Sequence, residues 1–204
     1  MLKLKELVER ATRAQEEFDY SAALMMTEEH FWMFCDHYLE LVKVRSYGDI
    51  AEAGTQSALA TLQHSLSILL RLLAPVVPYI TEEVWQWCFG CPDNFASIHR
   101  SKWPEIEEFG GIAAPSHTLS FEVAINATSL IRGAKSEKKV GQKTEVIAAK
   151  FIASEEAERA LSFVAKDVMA CGNITAGALK FERDEGLGAA EIRAELELAA
   201  PLVV

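Results

Sequence analysis

The residues able to do chemistry are few and scattered. Cys88-Phe-Gly-Cys91 with His99 eight residues on has the start of a zinc site. A closed zinc site needs four ligands, and no second Cys pair follows at knuckle spacing, so two ordinary thiols near a helix end is the plainer reading. His30 and His37 are seven apart and share a helix face, but two ligands do not make a site, and His64 would have to join them through packing. Glu16-Glu17, Glu28-Glu29, Glu82-Glu83 and Glu155-Glu156 fall at helix starts or on polar faces, where capping and solvation account for them. No GxGxxG, Walker A, HExxH or GxSxG pattern occurs, and no nucleophile lies near an evident base. These residues specify neither a catalytic centre nor a metal site.

What remains is the chemistry of binding. Residues 132–150 hold Arg132, Lys135, Lys138, Lys139, Lys143 and Lys150 against Glu137 and Glu145, a local +4. His99-Arg100-Ser101-Lys102-Trp103 sets two cations beside an aromatic. Lys43 and Arg45 close the long second helix, where they also suit the helix dipole and where Asp36 or Glu40 could pair with them. Each cluster can meet an anion; each can equally be a solvated helix end, and Trp103 can equally anchor its loop. The whole chain is acidic, net −10 from 20 basic and 30 acidic residues. That argues against gripping nucleic acid by bulk charge, but not against local basic patches on an acidic body.

The elements that would position these groups follow from periodicity and punctuation. Residues 2–18 form an amphipathic helix on Leu4, Leu7, Val8, Ala11 and Phe18. Asp19 or Ser21 caps a longer helix to about Ser46, with Leu24, Phe31, Cys35, Tyr38 and Val42 inward and Gly48 as its stop. Phe31, Trp32 and Phe34 cannot all face one core, so Trp32 is expected to be partly exposed. A third helix ends at Leu73 before Pro75, with Leu59, Leu62, Leu66, Leu69, Leu70 and Leu73 as its apolar stripe. Thr81 caps a fourth, with Val84, Trp85 and Phe89 inward. Gly110-Gly111 marks the best boundary. Beyond it come a helix over 116–138, a strand over 144–153, a helix over 154–171 closed by Gly172, a strand over 174–182, a turn at 184–186 and the alternating strand 191–198. The expected architecture is mainly α: an antiparallel helical bundle over 1–109, then a small α+β domain over 110–204 with a short antiparallel sheet. Sparse cysteines and a charged, helical start favour the cytosol, and Ser67–Ile80 is too short and broken to span a bilayer.

Several stretches, in order, resemble one family: Phe18-Asp19-Tyr20-Ser21-Ala22-Ala23-Leu24; Phe34-Cys35-Asp36-His37-Tyr38-Leu39-Glu40-Leu41-Val42-Lys43; Pro78-Tyr79-Ile80-Thr81-Glu82-Glu83-Val84-Trp85; and Ser97-Ile98-His99, closing at Trp103-Pro104. Together they are similar to the anticodon-binding region of valyl-tRNA synthetase, a class I aminoacyl-tRNA synthetase. Ile131-Arg132 and Lys135-Ser136-Glu137-Lys138 resemble the helix that follows it. The resemblance implies a non-catalytic, C-terminal part of a longer ligase that joins valine to tRNA-Val, with HIGH and KMSKS signatures, ATP, magnesium and the editing domain all elsewhere. It implies tRNA-Val and the catalytic domain as partners, a monomer, and no membrane, DNA or cofactor in this stretch. The candidate tRNA contacts are Lys43, Arg45, Arg100, Lys102, Trp103, Arg132, Lys135, Lys138 and Lys139. The corresponding region of isoleucyl- or leucyl-tRNA synthetase and a freestanding protein-interaction module are the alternatives. Loss of the catalytic domain predicts exposed apolar surface near the N-terminal helices.

Overall fold

The computed structural model describes residues 1–90, 96–113 and 115–200. The chain divides into two compact units, Met1–Asp36 with Asp49–Ala114, and His37–Gly48 with Pro115–Val204. Residues 37–48 pack with the second unit, an assignment that a single cut at Gly110 does not anticipate.

In the first unit α1 (Leu2–Glu16) packs on α2 (Tyr20–Met33), α2 on α4 (Ala53–Leu73), and α4 on α5 (Pro78–Phe89). Its core is Leu4, Leu7, Val8, Ala11, Ile68, Leu69, Leu72 and Phe109, with Phe31, Phe34 and Trp103 against it. Asp19 caps α2 by accepting the Ala22 N–H at 3.0 Å. Trp32 is 54% exposed, as the crowding of three aromatics requires, and its indole N–H reaches Glu28.

Four expectations fail locally. Phe18 does not close the apolar stripe of α1: it lies past the end of that helix in the left-handed conformation, φ 61°, and is 78% exposed. The long second helix runs α2, a π-helical segment Phe34–Leu39, then α3 (Glu40–Ser46). The π segment inserts a residue into the helical repeat and rotates the inward face. The buried positions are Ala23 and Thr27 before it and Leu41 and Val42 after it, while Leu24, Phe31, Cys35 and Tyr38 are half-buried. Thr81 does not start α5. Pro78 does, with its φ already suited to the first turn, and Thr81 lies inside, its hydroxyl donating to Val77 O at 2.9 Å. Leu59 is exposed because the stripe of α4 turns through Ala58, Ser65, Ile68 and Leu72 instead.

The second unit holds α3, α6 (Ser120–Glu137), β1 (Val146–Ala153), α7 (Glu155–Phe163), α8 (Ala165–Gly172), β2 (Leu179–Arg183) and β3 (Ile192–Leu198). The expected helix over 154–171 is two helices meeting at Val164. The sheet order is β2-β1-β3. β1 and β3 are antiparallel, but β1 and β2 are parallel, so the sheet is mixed rather than antiparallel. The reason is the crossover: two helices separate β1 from β2, and such a connection returns the chain in the same direction. The core joins α3, α6, α7, α8 and the sheet around Leu41, Val123, Ile131, Phe151, Leu161 and Val168. No helix among the described residues is long and apolar enough to cross a membrane.

Candidate nucleic-acid interface

In the first unit, the segment after α5 is held by charged clamps. The Glu82 carboxylate accepts from Ser97 Oγ at 2.8 Å, the Ile98 N–H at 2.9 Å and Gln86 Nε2 at 2.7 Å. The Ser97 bond first, then Gln86, holds this carboxylate below its ordinary pKa. Ile98 is buried beneath. Arg71 of α4 is the second clamp. Its guanidinium donates to both Glu108 oxygens, at 2.9 and 2.5 Å, to Ser67 O at 3.2 Å and to Lys102 O at 3.4 Å. Glu108 also accepts the Glu105 N–H at 2.9 Å. The Trp103 indole N–H donates to Thr12 Oγ1 on α1 at 2.9 Å, and its ring packs on the core.

These clamps divide the expected contacts of this segment. Arg100 and Lys102 have exposed side chains in no ion pair among the described residues. Trp103 is the loop's anchor: half-buried and hydrogen-bonded on α1, it does not fit a free stacking platform. Two of the most exposed aromatics share one face of α5 instead: Tyr79 is 90% and Trp87 73% exposed. Residue type singles out neither as a contact. The helix wheel held the signal, since with Thr81 and Trp85 inward, positions 79, 83 and 87 must point away. Tyr20 and Met25 of α2 also expose apolar side chains.

In the second unit, Lys43 is exposed and pairs with Glu40 at 3.3 Å. Arg45 pairs with Asp167 of α8 at 3.1 Å. Burial raises the Asp167 pKa, and Arg45 opposes that shift. Arg132 is half-buried, with Nη2 3.9 Å from Cys171 Sγ. Lys135 departs furthest from expectation. It is 1% exposed, and its Nζ donates at 2.8 Å to both Gln142 O and Gly172 O. Burial lowers its pKa, with Cys171 opposing. An amine sealed in this way touches no ligand, so Lys135 leaves the contact set. Lys138 and Lys139 are exposed and in no ion pair among the described residues. Lys150, by contrast, is held between Glu182 at 3.0 Å and Glu195 at 2.8 Å.

Among the described residues no three His, Cys, Asp or Glu side chains gather as a metal site. Cys91 of the CxxC lies outside the described residues, and Cys88 is exposed. His30 and His37 fall in different units, and His64 packs edge-on to Phe109 at 5.3 Å between centroids.

Comparison with known proteins gives this arrangement its context. Residues 1–152 match the family described as the anticodon-binding domain of tRNA ligase. The valine–tRNA ligase of Thermobifida fusca is 39% identical over 196 residues, covering 96% of this chain and 21% of that protein. That of Tropheryma whipplei (strain Twist) is 42% identical, covering 70% and 15%, and that of Bifidobacterium longum (strain DJO10A) 36%, covering 85% and 20%. The chain thus spans about a fifth of the length of the curated relatives it matches, in their C-terminal region. With three quarters of its length under one family description and a helical unit that presents pinned, cation-bearing loops, the chain belongs to the anticodon-binding domain family of tRNA ligases.

Proposed function

We propose that this chain is the tRNA-holding part of a cytoplasmic valine–tRNA ligase, and that it binds the anticodon stem and loop of tRNA-Val. The family match over residues 1–152 carries this reading. In it, valine activation, ATP and magnesium belong to a catalytic domain outside this stretch, and the residues here bind and orient RNA without making or breaking bonds. Arg100 and Lys102, and Lys43 once released from Glu40, meet phosphates, while unpaired bases stack on Tyr79 and Trp87. Binding of a tRNA-Val transcript, an anticodon-substituted version, and tRNA-Ile and tRNA-Leu transcripts tests it. A preference for tRNA-Val that the anticodon change removes is expected. Failure to bind any of them at low salt refutes it.

A further inference from the structure

The loop that Lys135 holds has a consequence beyond the contacts assigned above. Helix α6 ends at Glu137, and the chain reverses tightly: Lys139 takes the left-handed conformation with φ 53°, and the Val140 N–H returns to Lys135 O at 3.0 Å. Two side chains then grip the far side of the loop by consecutive carbonyls. Lys135 Nζ takes Gln142 O at 2.8 Å, and Asn173 Nδ2, just past α8, takes Lys143 O at 2.7 Å. Lys135 also takes Gly172 O at the end of α8, so one ammonium ties α6, the loop and α8 together.

The side chains left outside are Lys138, Lys139, Gln142 and Lys143, all exposed. Residues 138–144 contain no acid. Of the two flanking carboxylates, Glu145 accepts from the Thr175 hydroxyl at 2.8 Å. Elsewhere in this unit Lys150, Arg159, Arg183 and Arg193 are all in ion pairs. Lys166 and Lys180 are also exposed and in no ion pair among the described residues, but each stands alone in the sequence; Lys138, Lys139 and Lys143 are three such lysines within six residues. The loop's one large apolar residue, Val140, packs on the core, which leaves no exposed apolar side chain to seat a peptide. Ammonium groups without an apolar seat suit phosphate oxygens.

We infer that Lys138, Lys139 and Lys143 form a preset cationic edge for RNA phosphates, and that the buried Lys135, with Asn173, is the positioning residue that holds it. This rests on the tRNA-binding reading and places one of its contact surfaces in the second unit. The family match spans this loop.

The test measures tRNA-Val affinity by fluorescence anisotropy across a salt series, using the 204-residue chain. In K138A/K139A/K143A the slope of log K against log salt should fall by about 2–3, with affinity down on the order of ten-fold or more near 0.1 M. K135M should lose slope although no exposed charge is removed, with faster amide exchange over 138–145, and K135R should restore both. Asn173→Gly keeps the left-handed backbone and releases only the Lys143 carbonyl, so it reports on the clamp even where K135M does not fold. It should weaken binding by a smaller factor. A triple variant with wild-type affinity and slope overturns the cationic edge while tRNA binding stands. Wild-type slope in both folded K135M and Asn173→Gly overturns the positioning role. An unmodified chain that binds no tRNA at low salt overturns this inference and the reading beneath it together.

Discussion

Glu108→Gln should destabilise the first unit and loosen the segment that carries Arg100, Lys102 and Trp103. The structure sets the size of the effect. The Arg71 side chain is 9% exposed and Glu108 31%, and the pair is bidentate. Removing one partner of a fully buried pair costs about 3–5 kcal/mol, because the other charge stays buried. Here water reaches Glu108, and a glutamine still accepts one bond from Arg71. The loss should therefore be about 2 kcal/mol. For a unit of this size that is a fall in Tm of roughly 8–16 °C. All four tryptophans, Trp32, Trp85, Trp87 and Trp103, lie in this unit, so tryptophan fluorescence in a urea titration follows it directly. The pH dependence is a second check. The Arg71 hydrogen bonds, first among several causes, hold the native Glu108 pKa below its ordinary value. Its stabilising contribution is thus complete above the ordinary carboxylate range and disappears as pH falls through the lowered native value. Glu108→Gln should be insensitive to that change. A variant within about 0.5 kcal/mol of the parent, with the same acid limb, would refute the claim that this pair holds the segment.

Two further perturbations probe other parts of the fold. Burial, then the N-terminal ammonium and Lys3, lower His30 to about 4, so it stays neutral in the native state while the unfolded chain protonates near 6.5. Stability should be level above about pH 6.5 and fall toward pH 4 by about 1–2 kcal/mol, discounted for the ring's partial exposure; in His30→Gln that fall should shrink, and an unchanged profile by urea titration would count against it. In Gly172→Ala the new Cβ meets Ile131 Cδ1 at 2.6 Å, inside the second unit's core. The cost should be about 1–3 kcal/mol, read by far-UV circular dichroism, and a neutral substitution would mean that Ile131 simply turns aside.

Where one local signal stood alone, it was legible. Asp19 starts α2, the leucine rows mark α1 and α4, and alternation marks β3. Where signals competed or acted over distance, the sequence was silent or misleading. Pro78 and Thr81 both announce a helix start, and the proline's fixed φ prevails. Nothing in Phe34–Leu39 announces a π segment, yet it decides which later residues face inward. Alternation identifies a strand without naming its neighbour, so the parallel pairing of β1 with β2 had to come from the length of the crossover. In the interface, residue type marked the cations but not their surroundings. Lys135 could have been found: Val123, Ala127 and Ile131 advance by four along the buried stripe of α6, and the next step is Lys135.

That step explains why charge counting alone describes this chain poorly. Arg71 and Lys135 each stand on a helix, each is nearly sealed from water, and each grips a loop whose outer side carries exposed cations, Arg100 and Lys102 in one unit, Lys138, Lys139 and Lys143 in the other. The buried cation supplies geometry and the exposed ones supply attraction. A flexible loop of lysines would lose side-chain and backbone entropy on meeting a phosphate, whereas a loop already held by its carbonyls loses less. On the tRNA-binding reading, an acidic body of net −10 can bind RNA selectively, because the cations of these two loops are held in place before the ligand arrives.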